Sequence, residues 1–382
     1  MQAMKNVIVV GGSYVGSGAA TKLASSLPEG YRPRFAIVPT HEHKAFIPYT
    51  RIFNTPTIPN PSIHSVIRAR ALSVQPDNKL VLDREWKGET VVPFEYLVVA
   101  TGTQLPSPGS MQGEEKTDGV GFFKTYQAGV QRANDVVIVG GGAVGVQMAL
   151  DLKEVHPEKN VTLVHSRDHV MNRFDPRLHA IVAKRCEELG VKLVTGQRVR
   201  VPADGYPTDG SDTKVVLANG TEIPTQLVIL ATGQIPNNHL LRELDSSSTP
   251  AGQIINPANG YLRVRPTLQL QHPGYGNIFA LGDIADTGAP KAARPGMAQQ
   301  DVVVRNIEAL VKGQEPEGKI EVGPAAIHLT LGLKQNVIFR NPIEPGGEPM
   351  IKMQDNGQED MGIDGVWSRR GFTVKDISEY HL

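Results

Sequence analysis

Two glycine loops in the same setting constrain this chain more than any other feature. The first, Gly11-Gly12-Ser13-Tyr14-Val15-Gly16, follows the apolar run Asn6 to Val10 and leads into an alanine-rich helical stretch reaching Leu27. The second, Gly140-Gly141-Gly142-Ala143-Val144-Gly145, follows Val136 to Val139 and leads into a helix-like segment ending at Leu152. A strand, a glycine loop and a helix in that order suit a dinucleotide pyrophosphate. The first glycine permits the tight turn, the second lets backbone approach the phosphates, and the third lets the helix pack closely on the strand. The helix N-terminus then offers free N–H groups and a partial positive charge to the anion.

A second landmark repeats with the first. Tyr96 to Gly102 (YLVVATG) and Leu227 to Gly233 (LVILATG) are apolar strands ending in Ala-Thr-Gly. From Gly11 to Gly140 is 129 positions, and from Gly102 to Gly233 is 131. Two landmarks in the same order at nearly one period encode two nucleotide-binding units of similar plan, one suited to FAD and the other to a nicotinamide nucleotide. The expected fold is α/β, with two Rossmann-like dinucleotide-binding domains and a small C-terminal α+β region. A chain of 382 residues, 40% of them hydrophobic, exceeds what one core usually organises. The expected boundaries are 1–110 with 255–320 for a discontinuous FAD-binding domain, 111–254 for the NAD(P)H-binding domain, and 321–382 for the C-terminal domain.

The strand ends distinguish the two units. Phe35 to Pro39 reads as the second strand of the first unit, but its end carries Pro39 where an acid usually bonds the ribose, with Glu42 three residues on. In the second unit, Val161 to Val164 is followed by His165-Ser166-Arg167. A small hydroxyl beside an arginine suits the 2′-phosphate of NADPH, whereas a bare ribose diol prefers Asp or Glu; a polar loop indifferent to the nucleotide is the alternative. Arg51, in a polar and proline-broken stretch from His41 to Pro61, either faces a phosphate or is an ordinary surface arginine. Elsewhere the pattern predicts antiparallel strands over Ala71 to Leu82 and Thr90 to Val92 and a strand over Gly260 to Leu270. It also predicts helices over Arg177 to Leu189 and Pro295 to Lys312, stopped by Gly190 and Gly313. The residues after 320 read as strands and Gly/Pro turns.

Composition narrows the partners. Lys plus Arg balance Asp plus Glu at 39 each, which favours neither nucleic acid nor an anionic membrane. The single cysteine, Cys186, excludes an internal disulfide and a CxxC redox pair, and points to a reducing compartment and an inert buried thiol. MQAMKN leads straight into a strand with no room for a signal peptide, Gln2 is not a myristoylation glycine, and EYHL is no lipidation or peroxisomal address. No apolar run approaches the ~18 residues of a membrane span. A cytoplasmic protein is expected, with peripheral membrane contact left open. No metal is expected, since His41, Glu42 and His43 share no helix face and lack a fourth ligand. His328 could line a pocket or sit as an ordinary histidine.

The motifs VVIVGGGAVGVQMA, VTLVHSRD, NIFALGDIAD and GAPKAARPGMAQQ, with the first glycine loop and the paired ATG endings, resemble the two-dinucleotide-binding-domain flavoproteins. Within that superfamily of glutathione-reductase-like plan, the chain is similar to the apoptosis-inducing-factor-like branch that includes the ferroptosis suppressor proteins and their fungal-type homologues. The resemblance implies an FAD-dependent NAD(P)H oxidoreductase that passes electrons from NADPH or NADH to a quinone or other small aromatic acceptor. It places Gly11, Gly12, Ser13 and Gly16 at the FAD pyrophosphate, Thr101 and Gly102 where the chain leaves the FAD domain, and Gly282 and Asp283 at a ribityl hydroxyl. Lys291 would approach the flavin ring, where a cation favours the anionic reduced form. Gly140, Gly142, Gly145, Ser166, Arg167 and Gly233 would form the NAD(P)H site, with Gln147 near the nicotinamide. Three positions depart from the pattern: Ser13, Pro39, and Gln147, where the branch usually carries glutamate. The alternative is a divergent member with an impaired FAD site, acting as a nucleotide-binding or sensing protein or a non-redox biosynthetic catalyst.

Overall fold

The computed structural model describes residues 6–12, 14–22, 42–54, 58, 61–109, 113–245, 253–360 and 362–381. Each glycine loop sits at the end of a parallel sheet. In the first sheet Tyr96–Val99 is central, flanked by Val7–Val10 and Ile278–Ala280. In the second, Asp135–Val139 lies between Leu227–Leu230 and Asn160–Val164, with Val191–Val194 at the edge. These strands are runs of Val, Ile and Leu because helices or meanders cover both faces, so neither face alternates with polar residues. In both sheets the strand before the glycine loop pairs in parallel with the strand ending in Ala-Thr-Gly: Val7 opposite Tyr96, and Val136 opposite Leu227. Each unit also inserts a three-stranded antiparallel meander just before that strand, 71–93 in one and 199–225 in the other. The predicted strand Phe35 to Pro39 lies outside the described residues.

Several expectations change in detail. A helix, Lys116–Arg132, precedes the second unit in a stretch where the sequence pattern predicts no element. Glycines at 119, 121 and 129 hide its period. Gly129 is required by packing, since a Cβ there would stand 2.1 Å from the Thr208 carbonyl oxygen. Its first turn is closed by the Glu115 amide donating to the Asp118 carboxylate at 3.1 Å. The expected strand Gly260 to Leu270 shrinks to Leu262–Arg263, because the chain folds back over Pro266 and Leu268 takes a φ of +66°. The helix expected from Pro295 begins at Ala293, with Pro295 in its first turn where no N–H partner is needed. The helix Pro176–Leu189 matches, capped by Asp175 and stopped by Gly190 at φ +72°.

The C-terminal residues form a three-stranded antiparallel sheet, Ala326–Thr330, Gln335–Arg340 and Met350–Asp355. A helix follows, Ile363–Arg369, where turns were expected. Its Val366 and Trp367, with Leu329, Val337 and Phe339 from the sheet, join the second unit's own core residues Val146, Met148 and Leu150 in one buried cluster. Ile47, from a segment far earlier in the chain, belongs to the same cluster. Among the described residues, no helix is long and apolar enough to cross a membrane.

Candidate functional site

The two glycine loops agree at atomic detail. Gly11 and Gly140 have φ of +123° and +120°, and a Cβ on either would stand 2.2 or 2.3 Å from the carbonyl oxygen of Ala100 or Ala231. Those alanines open the two Ala-Thr-Gly endings, so each loop crosses directly over its neighbouring strand. A Cβ on Gly16 or Gly145 would meet the Gly11 or Gly140 carbonyl oxygen at 2.0 or 1.8 Å. Only hydrogen fits at these four positions. Gly142 differs, because a Cβ there meets nothing within 4 Å and the space above it is open. Ser13 lies outside the described residues.

The loops differ at their second glycine. Gly12 is covered by Tyr49, whose hydroxyl donates to the Gly12 carbonyl and whose ring lies 3.2 Å from where a Cβ would be. Gly141 is covered by His165, whose Nδ1 accepts from the Gly141 amide at 3.0 Å. An accepting Nδ1 places the proton of the neutral imidazole on Nε2. Burial first, with Arg167 and His179 adding to it, lowers the His165 pKa.

A cleft of about 460 Å³ opens over the second loop, walled by Gly140, Gly142, His165, Ser166, Thr232 and Gly233. Arg198 shares that wall, and no sequence motif announced it. It arrives by strand register: His165 donates its amide to Val194 and Gln197 donates to His165, which lays residues 195–198 beside the strand end. Arg167 is exposed and outside the wall, with its carbonyl accepting from Gly196 at 2.9 Å. The arginine beside Ser166 in the cleft is therefore Arg198. Gln147, two positions beyond Gly145, donates from Nε2 to Thr330 Oγ1 at 2.7 Å, tying the helix to the C-terminal sheet.

At the first unit, Gly282 has φ +75° and its amide donates to Gln299 Oε1 at 2.7 Å, which fixes the turn carrying Asp283. Burial raises the Asp283 pKa, against the charge of Lys291. Lys291 donates to the Ala285 carbonyl and lies 4.1 Å from the Tyr261 ring centroid, and burial lowers its pKa. Asp283 and Lys291 thus come together on one half-buried wall. Thr101 and Gly102 are committed to the crossing between units. Thr101 Oγ1 donates to the Asn237 carbonyl at 2.8 Å, Asn237 Nδ2 returns to the Thr101 carbonyl at 2.9 Å, and Thr103–Gln104 pairs antiparallel with Ile235–Pro236.

The Arg51 guanidinium lies 4.9 Å from the Phe372 ring centroid, part of a strap joining residues 44–51 to the C-terminus. Trp367 Nε1 donates to the Lys44 carbonyl at 2.9 Å, Lys44 pairs with Asp360 at 2.8 Å, and the Arg370 guanidinium covers the Tyr49 ring at 4.5 Å. Tyr49 is thus held between the tail and the first glycine loop. His43 stacks on His381 with ring centroids 3.7 Å apart, and its buried Nδ1 has no hydrogen-bond partner. Burial, then His381, Lys116 and Lys124, lowers its pKa from 6.5, with Glu42 opposing. A depressed folded-state pKa means that stability is present above 6.5 and lost as pH falls through the folded value. The melting temperature is expected to drop between pH 7 and pH 5 and the His43→Phe variant to show a smaller drop; equal drops refute the assignment.

His328 is exposed, 2.7 Å from Asn336 Oδ1 on the sheet. Cys186 is buried, which pushes its thiol up to about 11. Among the described residues, no three His, Cys, Asp or Glu side chains are placed to hold a metal ion.

Comparisons with known proteins agree with this geometry. The family model described as pyridine nucleotide-disulphide oxidoreductase matches residues 5–301. The chain is 32% identical over 407 residues to Fe-regulated protein 8 of Mycosarcoma maydis, covering 98% of this chain and 96% of that one. It is 29% identical over 349 residues to ferroptosis suppressor protein 1 of Mus musculus, covering 87% of each. Among solved structures, the sulfide:quinone oxidoreductase from Aquifex aeolicus superposes with a TM-score of 0.66 at 19% identity, covering 99% of this chain and 95% of that one.

Proposed function

The chain belongs to the pyridine nucleotide-disulphide oxidoreductase family, in its apoptosis-inducing-factor-like and ferroptosis-suppressor branch, and from that premise we propose an NADPH-preferring reductase of quinone-type acceptors. It is an FAD-dependent oxidoreductase that uses a nicotinamide nucleotide. FAD, when bound, relays two electrons from NAD(P)H to the acceptor, so NAD(P)H and a proton convert a quinone to a hydroquinone.

The observation that carries the reading is the atom-level duplication of the glycine loops. Gly11 and Gly16 make a backbone cradle of the same shape as Gly140 and Gly145, so the residues of the first unit fit a second dinucleotide. In this reading Gly11, Gly12 and Gly16 receive the FAD pyrophosphate. Asp283 accepts from a ribityl hydroxyl, and Lys291 stands beside the ring. The cleft over Gly142 takes the nicotinamide nucleotide, with Ser166 and Arg198 at the 2′-phosphate. Gln147 lies near the nicotinamide, held by Thr330. The domain boundaries remain 1–110 with 255–320, 111–254, and 321–382, supported by the two separate parallel sheets. A single buried cysteine accords with a cytoplasmic setting.

The test is optical. Purified protein is expected to absorb near ~450 nm, and NADPH is expected to bleach it anaerobically faster than NADH, with a naphthoquinone restoring the colour. A protein that is colourless and gains no colour with added FAD sinks the redox reading and leaves the nucleotide-sensing alternative. Faster bleaching by NADH overturns only the preference.

A further inference from the structure

The segment after the second glycine loop presents an arginine that the nucleotide cleft does not use. Met171 holds the left-handed region at φ +53°, uncommon for a side chain of its kind. Its amide donates to the Gly141 carbonyl at 2.7 Å, and Phe174 closes back on the Met171 carbonyl at 2.9 Å. The following backbone is clamped by Asn341, whose Nδ2 donates to the Arg173 carbonyl at 3.2 Å and whose Oδ1 accepts from the Asp175 amide at 2.8 Å. A strained residue held by backbone bonds on both sides turns Asn172 and Arg173 outward. The Arg173 side chain is exposed, and no carboxylate or hydrogen-bond acceptor among the described residues pairs with it. Asp175, two residues on, is taken by Arg177 at 2.8 Å and by the helix cap.

Arg173 lies on the wall of an open groove of about 390 Å³, whose apolar surface comes from Phe174, Pro342, Ile343 and Pro345. Glu344 also lines the groove. Arg173 in turn sits near enough to Lys291 and Tyr261 for its charge to act on both groups. Asn172 lines both this groove and the nucleotide cleft. An uncompensated guanidinium is suited to bidentate pairing with an oxyanion.

We propose that this groove receives an electron acceptor carrying an acidic group on an aromatic or apolar body, with Arg173 pairing with that group. The acidic head pairs with Arg173, and the apolar body lies along Phe174 and Ile343. This rests on the oxidoreductase reading for its meaning, yet it concerns recognition and is measurable without turnover. The matched probes are 2-naphthalenesulfonate and the neutral 2-naphthalenesulfonamide, both redox-inert, titrated calorimetrically into the FAD-loaded protein at low and high salt. The sulfonate is expected to bind about tenfold or more tighter than the sulfonamide, with the gap narrowing in salt. Arg173→Gln is expected to abolish that gap, and Arg173→Lys to keep part of it. Equal binding of the two probes, or a gap unchanged in Arg173→Gln, overturns the proposal. Bleaching by NADPH in the same preparations reports the oxidoreductase reading separately: if bleaching fails while the sulfonate gap follows Arg173, the redox reading falls and the anion site stands.

Discussion

Gly140→Ala is expected to give a protein that is still yellow but that NADPH no longer bleaches at an appreciable rate, while Gly11→Ala is expected to give a colourless one. Both positions carry a φ near +120°, and in both an added methyl overlaps a backbone oxygen at 2.2 to 2.3 Å. The left-handed backbone alone costs about 1–2 kcal/mol for a residue with a side chain. The overlap cannot be relieved by rotating a side chain, because the obstacle is the main chain of the Ala-Thr-Gly strand. The loop must therefore withdraw from that strand, which moves the amides that face the phosphates. Stopped-flow absorbance and the bound-flavin ratio check the pair. A Gly140→Ala protein bleached at the parental rate, or a yellow Gly11→Ala, refutes the assignment of one cofactor to each loop.

The second large effect is expected at Trp367, which sits far from either loop. Its indole is fully buried, meets Phe372 and Tyr380 edge-on, and donates to the Lys44 carbonyl. Removing a buried aromatic of this size costs about 3–5 kcal/mol, and the orphaned carbonyl adds about 1 kcal/mol or more. Trp367→Ala is therefore expected to lower the unfolding free energy by that order in a denaturant titration. It is also expected to release FAD more readily, because the strap that places Arg370 over Tyr49 begins at Trp367. Trp367→Phe, which keeps much of the packing and loses the donor, is expected to fall between. If Trp367→Ala unfolds at the parental midpoint and keeps its flavin, the strap does not support the first loop.

These two predictions differ in how legible their residues were. The glycines are plain in the sequence because the motif is local, three positions within six residues between a strand and a helix, even though Gly11 and Gly140 are also forced by the distant Ala100 and Ala231 carbonyls. The repeat of about 130 residues then read out two units, and the matching pairs Val7–Tyr96 and Val136–Leu227 bear that out. Arg198, Tyr49 and Arg173 were not legible, because each reaches its place through strand register, a tertiary strap or a strained turn, and none of these has a local pattern. The helix Lys116–Arg132 was missed for a related reason: Gly129 is chosen by the Thr208 backbone that lies against it, which lowers the very propensity by which a helix is recognised. Ser166 is legible from its place at the strand end, but Arg198, which lines the cleft with it, is not, because only strand register brings it there.

The crossing between the two units has a mechanical consequence. The outgoing strand Thr103–Gln104 and the returning strand Ile235–Pro236 form one ribbon, stitched by Thr101 and Asn237. Two separate tethers would allow sliding as well as rotation. A stitched ribbon behaves as a single leaf hinge, resisting shear along its length and bending most easily across it. The ribbon thereby limits sliding of one unit past the other more than two independent strands would.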